Sequence, residues 1–380
     1  MKTIANGLVL KGIDLTPLKE NIVLDDENNI VEISEDAREG KVIDASKKII
    51  CPSFINAHTH IGDGIIKDEG DGLSLSEIVK PPTGIKHLAL ESAEDEDIIQ
   101  SMKQSMWDMY NSGTSHFIDY REGGLEGVML LKEACEDIPI KPIILARDSS
   151  FYGEDANYHR VKMVLRKLLK HADGIGLSGF GEISTTVAEI ICEKCEKAGK
   201  ISSIHVAESE SNQFESLEKT EKTEPERAIE AGFNQIVHMT NPKNDDIKEL
   251  ASSNSSLCIS PRSNGALNVG MIPLREVLDS GVKPLIGSDN IMINSPNMFR
   301  EMEFSLKSMK GISRSYIAPS DILKMATTNV CVVDSLKDKI NKQYIDVGQK
   351  AEFMILNQLS NNPYLSLINR TERTDIIEIF

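Results

Sequence analysis

The chain has 380 residues, 40% of them hydrophobic and 27% charged, and a formal net charge of −17. That acidity, with no basic stripe to offset it, excludes a nucleic acid polymer as partner but says nothing against a nucleobase or nucleoside as a small substrate. Every apolar run falls short of a helical membrane span, and the opening MKTIANGLVLKGIDL reads as a strand, not a secretory signal, so the cytoplasm is the expected location.

In chain order, the first fifty residues read as β structure. NIVLDDENNIVEI has apolar runs flanking a turn-forming DENN, and KVIDASKKIICPSFI carries a further turn at 46–48. From residue 51 to about 340, short apolar strands alternate with helical patterns. The strand candidates are 53–60, 114–120, 141–147, 174–180, 202–208, 235–239, 256–260 and 283–289; helical stretches lie at 95–111, 158–171, 185–198 and 224–231. Eight βα units in one run predict a (β/α)8 TIM barrel over 51–340, with a doubly wound open sheet as the structural competitor. The tail returns to β in QYIDVGQKAEFMILN and DIIEIF, so residues 1–50 and 341–380 are expected to pair as a small composite β-sandwich domain. The region 61–94 has no clean period and reads as a long loop after the first barrel strand.

Polar residues gather where the predicted strands end. His58 and His60 close the first, Arg121 and Glu122 follow the second, and Arg147 follows the third. His205 and Glu208 lie on the fifth, His238 on the sixth, Arg262 and Asn264 after the seventh, and Asp289 ends the eighth. In a barrel those ends share one mouth, where the active site sits. Side chains alternate along a strand, so His58 and His60 face the same way and can reach one cation. A catalytic metal site takes about three protein ligands and an open position; His58, His60 and His205 offer imidazoles and Asp289 an anionic oxygen. Taken alone, His58 and His60 would read as surface or capping residues.

Several patterns carry no chemistry. GIGLSG (174–179) fits a dinucleotide fingerprint, but its glycines lie inside a strand instead of opening a helix. CEKC (192–195) has no second pair and sits in a helical pattern, and the six cysteines are expected to be reduced. The acidic run ESAEDEDIIQ (91–100) reads as a solvated helix start.

The stretch PSFINAHTHIGD resembles the P-G-[FL]-I-N-x-H-x-H signature of the amidohydrolase superfamily. HVAES (205–209), SPRSN (260–264), GSDN (287–290) and YIDVGQKAEFMIL resemble the later motifs of its branch of cytosine, guanine and S-adenosylhomocysteine deaminases and chlorohydrolases, in the correct order over nearly the whole chain. Ser53, Ser260 and Asn290 depart from that pattern and leave the substrate open. The resemblance implies a (β/α)8 barrel, a homodimer, and a hydrolase that deaminates a nitrogen heterocycle such as a purine, pyrimidine or related nucleoside. It also implies that His58, His60, His205 and Asp289 hold the metal, that Glu208 shuttles protons, and that His238 orients water or the leaving edge. Binuclear members use a lysine on the fourth strand. GIGLSGFGEIS has none, so one divalent ion is expected, Zn2+ foremost with Fe2+ or Mn2+ as alternatives; Glu182 is the residue there that could bridge a second. The expected substrate contacts are Lys86, His87, Arg121, Glu122, Arg147, Arg262 and Asn264. Alternative readings are hydrolysis of a cyclic amide C–N bond and a retired metal-binding barrel.

Overall fold

A computed structural model describes the whole chain apart from Asn244, Asp338 and Asn341. A curled nine-stranded parallel sheet takes up the predicted units in chain order. In spatial order its strands are Leu285–Ile286, Ser256–Ile259, Gln235–His238, Ile201–Val206, Gly174–Leu177, Lys141–Ala146, Thr114–Arg121, Phe54–His60 and Asp289–Asn290. From Phe54–His60 to Leu285–Ile286 each strand lies beside the next in sequence; Asp289–Asn290 instead lies beside Phe54–His60. Helices supply the crossovers that parallel pairing requires; Thr185–Ala198, for example, joins Gly174–Leu177 to Ile201–Val206. Phe54–His60 and Ile201–Val206 are buried at every residue, as strands covered on both faces must be.

The strand expected at 283–289 is broken into two short pieces. Leu285–Ile286 pairs with Ser256–Ile259, whereas Asp289–Asn290 pairs with Phe54–His60. The break falls at Gly287 and Ser288, and Asn56 clamps it: the Ser288 amide donates to Asn56 Oδ1 at 2.9 Å, and Asn56 Nδ2 donates to Ser288 Oγ at 2.7 Å. Gly287 is required by close approach. A Cβ there would stand 2.5 Å from the backbone nitrogen of His58 and 2.6 Å from its Cβ.

Contacts group the chain into two units: residues 1–55, 109–115 and 297–380 form one, and 56–108 with 116–296 the other. The first unit contains a four-stranded sheet ordered Ile30–Ser34, Asn21–Leu24, Lys2–Ala5, Lys41–Asp44. It also contains a five-stranded sheet ordered Ile376–Ile379, Phe353–Asn357, Lys48–Pro52, Leu8–Lys11, Thr16–Lys19. One apolar cluster takes Ile4, Ile22 and Ile33 from the first sheet and Val9, Ile50 and Phe353 from the second. The NIVLDDENNIVEI segment is the antiparallel hairpin its turn residues predict. The turn near 46–48 is not a hairpin: Lys41–Asp44 runs parallel to Lys2–Ala5, and Lys48–Pro52 crosses into the other sheet.

Two expectations need correction. Residues 61–94 are not a loop throughout. They fold into a 3-10 turn, Ile61–Ile66, and helices Leu75–Val79 and Ile85–Ser92, the first of which is fixed by a Ser74–Glu77 capping box. Their apolar residues are too irregularly spaced to show a period. They pack as a small cluster in which Ile66, Ile78, Ile85 and Leu75 meet Leu267 and Met292. The β-rich tail also contains a helix, Pro363–Arg370, started by Asn362. Among the described residues no helix is long and apolar enough to cross a membrane.

Gly287→Ala is expected to cost about 1–3 kcal/mol, because the new methyl meets backbone that cannot yield, and to lower Tm by several degrees in a thermal melt. Gly311→Ala, on a helix with nothing within 4 Å of the added methyl, should be neutral or raise Tm.

Candidate metal centre and cavity

His58 and His60 leave the Phe54–His60 strand on the same face and meet His205 and Asp289 from two other strand ends. One ligand atom from each of these four buried residues lies within 4.8 Å of the others; Glu208, His238 and Asp289 form a second such group. The backbone bends to achieve this. Ala207, His238 and Asp289 all adopt left-handed φ values, 48°, 74° and 62°. That conformation is costly for a side-chain-bearing residue and concentrates at functional sites. At Ala207 the buried Glu224 carboxylate accepts the backbone N–H at 2.7 Å.

Hydrogen bonds select which imidazole nitrogen faces the cluster. His205 Nδ1–H donates to the Leu177 carbonyl at 2.6 Å. His60 Nδ1–H donates to Glu122 Oε1 at 3.0 Å. Each ring therefore keeps Nε2 bare. Both nitrogens of His58 are buried without a hydrogen-bond partner; its Nε2 lies 3.1 Å from Asp289 Oδ1 at an angle that makes no hydrogen bond. Burial drives the pKa of His58 down to about 4 and those of His60 and His205 well below the ordinary value, so the imidazoles are neutral and able to act as ligands. Burial alone would raise Asp289, yet its pKa lies well below the ordinary value, because its ionised form is what holds a proton on the facing His58, His238 and His60 rings whenever one of them carries it; with the rings neutral the carboxylate is ionised. Ser263 donates to Asp289 Oδ2 at 2.7 Å, leaving Oδ1 toward His58 and, at 3.5 Å, His60 Nε2. Bare, unpartnered imidazole nitrogens around an ionised carboxylate fit a divalent cation: without one, these buried groups carry an uncompensated desolvation cost.

The cluster opens into a cavity of about 250 Å3. Glu208 and His238 line it beside the ligands. His238 Nδ1 is 3.0 Å from Asn264 Oδ1, while Asn264 Nδ2 donates to Thr240 at 2.9 Å. Asn264 thus accepts the imidazole N–H, and His238 Nε2 is left without a hydrogen bond, 3.6 Å from Glu208 Oε1. Burial raises the Glu208 pKa, which favours a carboxyl group that carries a proton. Ser74, Ser76, Val79 and Lys80, from the helical segment after the first barrel strand, form part of the wall.

Of the seven residues expected to touch substrate, Lys86 and Arg147 line this cavity and the other five do not. His87 Nε2 caps the Val79 carbonyl at 3.0 Å. Arg121 donates to Glu122 Oε2 at 3.1 Å, Arg262 to the Ser295 carbonyl at 3.1 Å, and Asn264 serves His238. Glu122 is the hub of a buried charge cluster described below. Glu182 lies outside the groups that can hold a metal, but it lines the cavity with Oε2 buried and unpartnered. Sequence reasoning missed Ser263; the SPRSN segment contains it, but nothing in the pattern shows that its hydroxyl reaches Asp289. It also missed Tyr120, whose ring centroid sits 4.3 Å from that of His58. The cysteines of CEKC are free and buried in the Thr185–Ala198 helix.

Burial holds the Glu224 carboxyl up at about 7 against an ordinary 4.5. Below pH 4.5 the folded and unfolded chains are both protonated there and its contribution is complete. Between about 4.5 and 7 the unfolded chain releases the proton first, so stability is lost as pH rises through that window, by about 3 kcal/mol. Glu224→Gln keeps an acceptor for Ala207 and removes the titration. Its Tm, measured against pH, should pull ahead of the wild type between pH 4.5 and 7; parallel curves would refute the assignment.

The chain's relatives point the same way. The model of the Amidohydrolase family matches residues 49–378. A protein of Methanothermobacter thermautotrophicus described as a putative aminohydrolase is 45% identical, covering 99% of this chain and 97% of that one. A 5-methylthioadenosine/S-adenosylhomocysteine deaminase of Thermoanaerobacter pseudethanolicus is 27% identical, covering 92% of this chain and 85% of that one. Among solved structures, an adenosine deaminase from Xanthomonas campestris with bound zinc superposes with a TM-score of 0.84 at 16% identity, covering 100% of this chain and 91% of that one. With bare imidazoles, an ionised aspartate and a matching family model over most of its length, the chain belongs to the amidohydrolase family.

Proposed function

We propose that the protein is a metal-dependent aminohydrolase that replaces an exocyclic amino group of a nitrogen heterocycle with oxygen, consuming water and releasing ammonia. The observation that carries this reading is the convergence of bare His58, His60 and His205 nitrogens on ionised Asp289, with Glu208 and His238 on the adjoining cavity wall. We read the parallel sheet as a (β/α)8 barrel joined through its broken eighth strand. The two sheets of the first unit we read as a composite β-sandwich from both termini, nominally 1–50 with 341–380 against a barrel of 51–340. The free cysteines accord with a cytoplasmic enzyme, and a homodimer is the assembly to test by light scattering.

His58, His60, His205 and Asp289 would hold one divalent ion, Zn2+ foremost. When bound, such an ion supplies a Lewis acid that brings the pKa of a coordinated water down to about 7. The chain's own residues account for the rest. Asp289 is an ionised acceptor beside the attacking water and takes its proton. Glu208, which burial pushes toward the protonated form, donates to a ring nitrogen and so draws electrons away from the carbon under attack. His238, its Nδ1–H tied to Asn264, presents bare Nε2 to the attacked edge and orders the incoming water there. Collapse then expels the amine, which leaves as ammonia with the proton Asp289 took from the water, while the hydroxyl proton of the adduct returns to Glu208 and restores it. The relatives named as deaminases of 5-methylthioadenosine and S-adenosylhomocysteine make purine nucleosides the first compounds to try.

The decisive experiment is ammonia release from a panel of purine nucleosides, nucleobases, pterins and cyclic amides with zinc-loaded protein. Turnover of a ring-amino compound is expected. Opening of a cyclic amide without ammonia would favour C–N ring hydrolysis, and no turnover on any compound by metal-loaded protein would favour the retired barrel. Glu208→Gln should lower kcat by about 10^2–10^4-fold with an unchanged melting curve; full activity in that variant would sink the mechanism. Chelation should abolish turnover and zinc should restore it.

A further inference from the structure

The cavity wall contains a buried charge cluster that the reaction does not use. Glu122 Oε1 receives Lys86 Nζ at 2.7 Å, His60 Nδ1 at 3.0 Å and Arg147 Nη1 at 3.4 Å, while Oε2 receives Arg121 Nη2 at 3.1 Å. All five side chains are buried. A carboxylate that meets four buried donors and does not line the cavity is not placed to contact a substrate. Lys86 is only 1% exposed, and its second neighbour is Asp63 Oδ2 at 3.5 Å. Asp63 in turn accepts from Asn290 and from the Met292 amide. Lys86 stands on the Ile85–Ser92 helix, within the segment whose preceding helix forms part of the cavity wall.

We infer that Glu122 and Lys86 are positioning residues for the metal centre: Glu122 fixes the His60 tautomer that leaves Nε2 bare, and Lys86 fixes Glu122. The inference rests on the metal reading above. Its physical content is directional. Only an acceptor at Nδ1 keeps the proton off Nε2, and a carboxylate makes His60 a stronger donor than a neutral acceptor would. Lys86 contributes the shortest contact to that same Oε1 atom and has no hydrogen bond of its own to His60, so it orients the ring through Glu122. The covering segment and the metal centre therefore share one buried linkage.

The test is a zinc titration of metal-free protein against a chromophoric chelator, with visible spectra of the cobalt-substituted forms. It uses wild type, Glu122→Gln, Lys86→Met and the double variant, each checked by circular dichroism. Glu122→Gln should weaken zinc binding by about 10–100-fold and alter the cobalt spectrum, a signature that a merely structural role would not move. Lys86→Met should weaken binding by about fivefold or more, yet add little in the Glu122→Gln background, since it acts through Glu122. Unchanged affinity and cobalt spectra in folded variants would overturn the inference while leaving the proposed function intact. So would effects of the two substitutions that simply multiply. If Glu122→Gln does not fold, Lys86→Met decides alone: an altered cobalt spectrum supports the linkage and an unaltered one overturns it. A wild type that takes up no metal would overturn both this inference and the metal reading beneath it.

Discussion

The structure turns on the need to bury neutral imidazoles that each leave a nitrogen unpaired. A buried histidine without partners is costly, and an ionised aspartate without partners is costlier. At this centre the two costs meet: His58 Nε2 stands 3.1 Å from Asp289 Oδ1, whose pKa is held well below the ordinary carboxylate value despite its burial. Much of the neighbouring structure serves that arrangement. The Leu177 carbonyl, Glu122, Asn264 and Ser263 each occupy one atom of a site residue, so that the remaining atom points inward. The left-handed turns at Ala207, His238 and Asp289 let strands that run out of the sheet swing their side chains toward a common point.

The break in the last strand follows from the same requirement. Asp289 must lie beside Thr59 in register, while Leu285 must lie beside Cys258. A continuous strand has only one edge on each side, and a side chain at 287 would collide with His58. Glycine with an Asn56 clamp lets the backbone turn from one partner to the other. Asn56 belongs to the same INAHTH stretch that holds the histidines. A motif that looks like a metal signature is therefore also a structural joint.

The parts legible in the sequence were those in which one residue's type and spacing already contain the physics. His58 and His60 share a face because strands alternate, and helices 95–111, 185–198 and 224–231 appear with those bounds because their apolar spacing is regular. The segment 61–94 was opaque because its helices are short and bury their apolar residues against distant loops at Leu267 and Met292, contacts that leave no period. The residues expected to bind substrate were chosen for charge near strand ends. Charge alone does not tell a cation that faces the cavity from one that faces another buried charge. Arg121 and Arg147 both donate to Glu122, yet only Arg147 also reaches the cavity.

That distinction matters for how the cavity recognises a substrate. Its lining holds Lys80, Lys86 and Arg147 against Glu182, Glu208 and Glu215. Of these, Lys86 and Arg147 both lie against Glu122, and Lys86 has Asp63 as a second partner, so each already faces a buried carboxylate. Three lining residues have a buried atom without a partner, Ser178 Oγ, Glu182 Oε2 and His238 Nε2, and the last two are acceptors. Burial raises the pKa of Glu182, which eases the cost of leaving it unmatched. The lining therefore favours a neutral ligand that brings its own N–H or O–H donors over one that brings an anionic group. This is the reverse of what a count of arginines near strand ends suggests, and it accords with an amino-substituted heterocycle.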